Sequence, residues 1–304
     1  MMKRELHLVH ILLLLILSPL IYVNSANFVL IHGGSHGAWC WYKVATMLKS
    51  AGHNVTTVEL TASGINPIQV QDIHSISKYY KPLMTFMESL PPNEKVILVG
   101  HSLGGVSTSV AMEMFPQKLF VAVFVTAYVL SQNLTYPAIL QEIARRNNSF
   151  MDTKFFFFDG PNKPASARLI GPKLMASKMY QLSPPEDLTL ALSLVRSVPI
   201  YKDVELLLKE TNVTNHRNGR VPKIFIISKN DSLITEDLQM WMIKRSGPFD
   251  ELKVIKDSDH MVMFSKSKKL SSTLLKIAQK YGVYVCHVPK TNAYELDSYF
   301  NYEL

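Results

Sequence analysis

The chain has 304 residues, of which 47% are hydrophobic and 18% charged, with a formal net charge of +8. This balance supplies a sizeable core, excludes a globally disordered protein, and suits one large α/β domain. The basic excess is spread along helical stretches such as Lys266, Lys268, Lys269, Lys276 and Lys280, without interleaved Arg, Gly or aromatic residues. That spacing predicts a solvated face and no nucleic-acid partner.

The first stretch, residues 1–26, stands apart. Lys3 and Arg4 precede an apolar run from Leu8 to Val23, interrupted by Pro19 and followed by the small residues Ser25 and Ala26. These are the three parts of a secretory signal. The run falls short of the roughly 20 residues that a spanning helix needs. A signal peptide is expected, with an N-terminal anchor as the second reading and no stable membrane insertion after cleavage. A working leader implies the secretory pathway or the cell exterior; otherwise the protein is cytoplasmic. Cys40 and Cys286 allow one disulfide at most and no zinc site, and no metal is expected. Sequons at Asn54, Asn133, Asn147, Asn212 and Asn230 would be open to glycosylation in that compartment. The fold is expected to block Asn54 and Asn230.

Residues 27–281 read as an α/β domain. Phe28–Ile31 is a short β-rich run that ends in His32-Gly33-Gly34-Ser35-His36-Gly37, a glycine-rich turn able to aim a backbone N–H at a bound group. A helix over 41–51 is closed by Gly52, and a second strand covers 54–60. Apolar residues at helical spacing predict a helix over 72–90, kinked or broken at Pro82. Lys95 to Gly100 is a run suited to a buried parallel strand, and it breaks in Gly100-His101-Ser102-Leu103-Gly104 before a helix over 103–115. Strand, tight turn and helix are the setting in which G-x-S-x-G acts as a nucleophile elbow. Another buried strand follows over 119–125. From about 131 to 221 the rhythm gives way to short amphipathic pieces and scattered prolines, which reads as an inserted, mostly helical cap over the carboxyl edge of the sheet. Strands resume at 223–227 and 252–255, and a helix over 265–281 follows. Residues 282–304 form a tail of no clear period. The expected architecture is thus an α/β-hydrolase fold: a mostly parallel six-stranded sheet flanked by helices, with a cap.

A serine hydroxyl needs a base, and the base needs an orienting acid. In this fold the chain order is Ser, Asp, His, with catalytic groups at the carboxyl ends of strands. Asp231 lies just past the run ending at Ile227, and His260 just past the run ending at Ile255. Ser102 as nucleophile, His260 as base and Asp231 as acid satisfy both conditions. Asp257 and Asp259 are nearer to His260 in sequence, but neighbours on one loop rarely present a carboxylate to the imidazole. The oxyanion donors are expected to be the N–H groups of Leu103 and Gly34.

Several segments resemble the plant methylesterases of the α/β-hydrolase superfamily. They are His32-Gly33 through Gly37-Ala38-Trp39, Trp41-Tyr42-Lys43, Ala51-Gly52-His53, Ala62-Ser63-Gly64, Glu94 to Gly105, Tyr180 to Leu188, and Asp259-His260-Met261. The resemblance runs from Phe28 to Tyr281. It implies cofactor-free hydrolysis of methyl esters of small carboxylates, such as those of indole-3-acetic, salicylic or jasmonic acid. It places the triad on Ser102, Asp231 and His260, the oxyanion donors on Gly34 and Leu103, and Met261 beside the substrate. Hydroxynitrile lyases share this fold and triad, but typically carry threonine where Gly34 stands, an acidic residue at His101 and lysine at Met261. A non-catalytic small-molecule receptor on the same scaffold is the reading from another class. The expected partner is a small-molecule methyl ester, and a homodimer is left open.

Overall fold

The structure is a computed structural model that describes residues 25–146 and 149–281. Residues 1–24 of the proposed leader, the tail over 282–304, Cys286 and the sequon at Asn147 lie outside the described residues. Six strands form one sheet: β1 (Asn27–Ile31), β2 (Asn54–Val58), β3 (Val96–His101), β4 (Leu119–Val125), β8 (Lys223–Ser228) and β9 (Glu251–Ile255). Their order is β2-β1-β3-β4-β8-β9, and every pairing is parallel. All six residues of β3 and of β8 are buried, as expected of strands covered on both faces, whereas the edge strands β2 and β9 alternate in exposure. Helices α1 (Tyr42–Ser50) and α8 (Ser267–Lys280) cover one face. Helices α2 (Ile76–Ser89), α3 (Gly104–Met114) and α7 (Glu236–Ser246) cover the other.

The chain moves from β1 outward to β2, returns to β3, and then continues in the opposite direction. Loops leaving β1 and β3 therefore diverge to opposite faces and open a crevice at the carboxyl edge, where ligands bind in open α/β sheets.

Helix α2 differs from the expectation in two ways. It begins at Ile76, capped by the Ser75 side chain, with Val70–Asp72 as a separate 3-10 turn. Pro82 lies inside the helix without ending it. A proline cannot donate to the carbonyl four residues earlier. That carbonyl, on Lys78, instead accepts the Thr61 hydroxyl at 2.8 Å, and the next, on Tyr79, accepts the Thr61 N–H at 3.1 Å.

The cap holds helices α4 (Tyr136–Arg145), α5 (Pro185–Leu194) and α6 (Val204–Glu210). It also contains an unanticipated three-stranded antiparallel sheet: β5 (Lys154–Phe156), β6 (Ala167–Leu169) and β7 (Val198–Pro199). Strands of two or three residues are too short to show a period in sequence. Two further expectations need correction. Asn54 and Asn230 are exposed, because the edge position of β2 and the outer side of the loop after β8 leave both facing solvent. Among the described residues no helix is long and apolar enough to cross a membrane.

Candidate active site

The turn after β3 holds Ser102 at φ +52°, in the left-handed region that side chains rarely adopt. Such a conformation costs of order 1–3 kcal/mol and persists only where the surroundings over-determine it. Here the Ser102 carbonyl accepts the N–H groups of Gly105 and Tyr128, each at 3.0 Å. The elbow is also clamped by close packing. A Cβ on Gly105 would lie 2.0 Å from the Tyr128 carbonyl oxygen, and one on Gly33 would lie 2.8 Å from Ser102 Cβ. Glycine is needed at both positions because backbone and elbow touch.

The structure brings Ser102, Asp231 and His260 together, although they come from loops after three different strands. Ser102 Oγ lies 3.0 Å from His260 Nε2, and Asp231 Oδ2 lies 2.7 Å from His260 Nδ1. Nδ1–H donates to the carboxylate, which leaves Nε2 bare to accept the serine proton. His260 is 1% exposed, Asp231 4% and Ser102 8%, so water does not compete for these bonds and only the serine is open to a ligand.

Burying Asp231 is tolerable because every lone-pair direction is used. Its Oδ1 accepts the N–H groups of Leu233 and Ile234 at 2.7 and 2.8 Å, and Oδ2 accepts the Thr126 hydroxyl at 2.6 Å besides the imidazole. Thr126 was not anticipated from sequence. It sits one residue past β4 at φ +39°, a strained position for a β-branched residue, and nothing local in the sequence marks it.

The oxyanion side is built by two histidines that are neither base nor acid. His32 Nε2 accepts the Leu60 N–H at 3.1 Å, so its proton resides on Nδ1 and donates to the Gly33 carbonyl at 2.8 Å. Glu59 Oε1 lies 3.4 Å from the same Nε2, but that nitrogen already accepts, and the carboxylate takes the N–H groups of Ala38 and Ile65. Because a trans peptide sets its C=O and N–H in opposite directions, anchoring the Gly33 carbonyl aims the Gly34 N–H the other way. The Gly34 carbonyl in turn accepts His36 Nδ1–H at 3.0 Å, leaving His36 Nε2 to accept the Tyr180 hydroxyl at 2.7 Å. Burial holds the His36 imidazole down to about 3. The expected donors, Gly34 N–H and Leu103 N–H, have no acceptor among the described residues, and the two residues adjoin: Leu103 Cδ2 lies 3.3 Å from where a Gly34 Cβ would stand.

His101 is also buried and neutral; burial, followed by the neighbouring His260, pushes its pKa well below 6.5. Its Nε2–H donates to the His260 carbonyl at 2.8 Å and fixes the histidine loop. Met261 is completely enclosed, and its N–H donates to the Met179 carbonyl at 3.2 Å, joining that loop to the cap. Asp259 does not face the imidazole. Its Oδ2 accepts the Leu182 N–H at 2.9 Å and the Ser183 hydroxyl at 2.8 Å, both from the cap.

One cap segment, Tyr180 to Ser183, touches three of the loops that build the site. Tyr180 bonds His36 on the oxyanion loop, Gln181 Nε2 donates to the Asn230 carbonyl at 2.8 Å on the acid loop, and Leu182 and Ser183 bond Asp259 on the base loop. Among the described residues no group of three or more His, Cys, Asp or Glu could hold a metal ion.

Comparison with known proteins identifies the family. A family model described as the alpha/beta hydrolase family matches residues 28–272. Methyl jasmonate esterase 1 of Vitis vinifera is 51% identical over 260 residues, 85% of this chain and 99% of its own length. Salicylic acid-binding protein 2 of Nicotiana tabacum is 41% identical over 261 residues, 85% and 99% of the two chains. Among solved structures, tomato methylketone synthase I complexed with 2-tridecanone superposes with a TM-score of 0.81 at 43% identity, covering 84% of this chain and 99% of that one. With the elbow, the strand order and the relatives all in agreement, this chain belongs to the α/β-hydrolase family, among the plant methylesterases.

Proposed function

We propose that the protein is a serine carboxylesterase that hydrolyses methyl esters of small carboxylic acids, with Ser102, His260 and Asp231 as its triad. The observation that carries this is the unbroken line from Asp231 Oδ2 through His260 to Ser102 Oγ, at 2.7 and 3.0 Å. In the first half-reaction His260 Nε2 takes the Ser102 proton as Oγ attacks the ester carbonyl. The carbonyl oxygen becomes an oxyanion between the N–H groups of Gly34 and Leu103, each donor contributing about 3–4 kcal/mol to that state. Asp231 stays ionised and stabilises the imidazolium, which returns its proton to the departing methoxide, so methanol leaves. Water, activated by the same Nε2, then attacks the acyl-enzyme and releases the acid. No step asks for a cofactor.

The similarity to methyl jasmonate esterase 1 supports acids of plant-hormone type as the acyl half. The N-terminal charge and apolar pattern supports entry into the secretory pathway. Incubation with a fluorophosphonate probe tests the nucleophile: wild type is expected to label, and Ser102→Ala to neither label nor hydrolyse p-nitrophenyl acetate, with a fall on the order of 10⁶-fold in kcat. A wild-type protein that does not label would make it a binding protein on a hydrolase scaffold.

A further inference from the structure

Beneath the cap lies a cavity of about 90 Å³, bounded by Tyr128, Leu233 and Ile234 from the sheet rim and by Phe150, Arg168 and Ile170 from the cap. Its rim-side lining residues bond to members of the proposed triad. Leu233 and Ile234 are the residues whose N–H groups hold Asp231, and the Tyr128 N–H donates to the Ser102 carbonyl.

Strand register fixes where Arg168 points. Arg168 pairs with Val198 across β6 and β7, which are antiparallel, and directly paired residues project from the same face of a sheet. Val198 Cγ2 lies 3.6 Å from where a Cβ on Gly34 would stand, so that face is the one turned toward the oxyanion loop. The guanidinium lies 5.8 Å from the Phe150 ring centroid. Burial pushes the Tyr128 and Tyr136 phenols up, and the Arg168 charge nearby opposes that push. Arg145, Arg146, Arg196 and Arg217 each reach carboxylate or carbonyl oxygens. Half-buried Arg168 reaches none among the described residues. A guanidinium carries five donors, and one left partly desolvated without an acceptor is costly.

We infer that Arg168 reads the far end of the acyl group. The substrate class is then narrower than small methyl esters in general: the acyl chain crosses an apolar cavity and ends in an oxygen acceptor, a carboxylate foremost and a ketone second. A carboxylate meets the guanidinium fork with two oxygens and an opposite charge, whereas a ketone offers a single uncharged oxygen. The ester end stays at Ser102, so this contact acts as remote binding energy that orients the carbonyl for attack. The inference rests on the esterase reading.

The test compares kcat/KM for methyl hexanoate, methyl 5-oxohexanoate and the monomethyl esters of succinic, adipic and suberic acids. Wild type is expected to prefer at least one carboxylate-ended ester over methyl hexanoate by about tenfold or more, with the ketone between them. Arg168→Met should bring that ratio to about one, and Arg168→Lys, which keeps the charge but not the fork, should retain part of it. Wild type turning over methyl hexanoate as well as every carboxylate-ended ester overturns the inference and leaves the esterase reading standing. So does an unchanged ratio in Arg168→Met or, should that variant not fold, in Arg168→Lys. Failure of wild type to hydrolyse any methyl ester overturns both.

Discussion

The rim of the sheet and the cap above it are organised on opposite terms. At the rim the proposed acid and base are satisfied by the protein itself: Asp231 accepts four bonds, and His260 is fixed at both ring nitrogens and at its carbonyl. The backbone is held at positive φ at Ser35, Ser102, Thr126 and Asp257, all in loops leaving the carboxyl edge. In the cap, strands are two or three residues long, and Phe150, Phe155, Phe157 and Phe158 are 38–50% exposed. Arg168 there has no acceptor among the described residues. The rim holds its acid and base without a ligand and leaves the Gly34 and Leu103 N–H groups open for one, whereas the cap leaves the Arg168 guanidinium. In the proposed function chemistry depends on the rim and selectivity on the cap, joined by the segment from Tyr180 to Ser183.

The sharpest way to break the rim is Asp231→Asn, which keeps the shape but lets the imidazole take the wrong tautomer. The expected fall in kcat is about 10⁴-fold with little change in KM, measured on any turned-over ester.

Acid should act on stability next. His36 is held at about 3 and His101 well below its ordinary value, both first of all by burial, whereas the unfolded chain titrates them near 6.5. The unfolded state thus binds more protons below that pH. Their contribution is complete above 6.5 and is lost as pH falls, about 2 kcal/mol for His36 by pH 5. Denaturant midpoints between pH 7 and 5 should show this slope, and His36→Gln should reduce it; an unaltered slope would mean His36 is not buried neutral.

Gly105→Ala should cost about 3 kcal/mol, because its Cβ would meet the Tyr128 carbonyl oxygen at 2.0 Å and backbone cannot yield cheaply. Melting curves read that loss directly.

The smallest effect is expected where the cap is anchored. Lys43 Nζ donates to Asp187, which is 1% exposed and also accepts the Tyr42 hydroxyl at 3.1 Å. Lys43→Met leaves that carboxylate only partly satisfied, at about 2 kcal/mol. Fluorophosphonate labelling of Ser102 should survive the change. Loss of labelling in a folded Lys43→Met protein would show that cap and rim are not separable.

Ser102 was legible because its motif, the strand before it and the helix after it are contiguous in sequence. His260 and Asp231 were legible because a strand's end can be located from its apolar run, and the order of the triad follows the strands. Thr126 was not, since its hydroxyl matters only where β4 and β8 lie side by side. The roles of His32, His36 and His101 were hidden for a related reason: a histidine's tautomer is set by whichever backbone group folding brings to it. The cap sheet escaped because two-residue and three-residue strands carry no period. Sequence alone therefore determined the alternation of strand and helix, the elbow and the order of Ser102, Asp231 and His260 along the strands, all of them local or ordered along the chain. Only the tertiary structure decided which polar atoms meet and which, like the Arg168 guanidinium, find no acceptor among the described residues. Those pairings join residues tens to more than a hundred positions apart, and burial makes each of them matter.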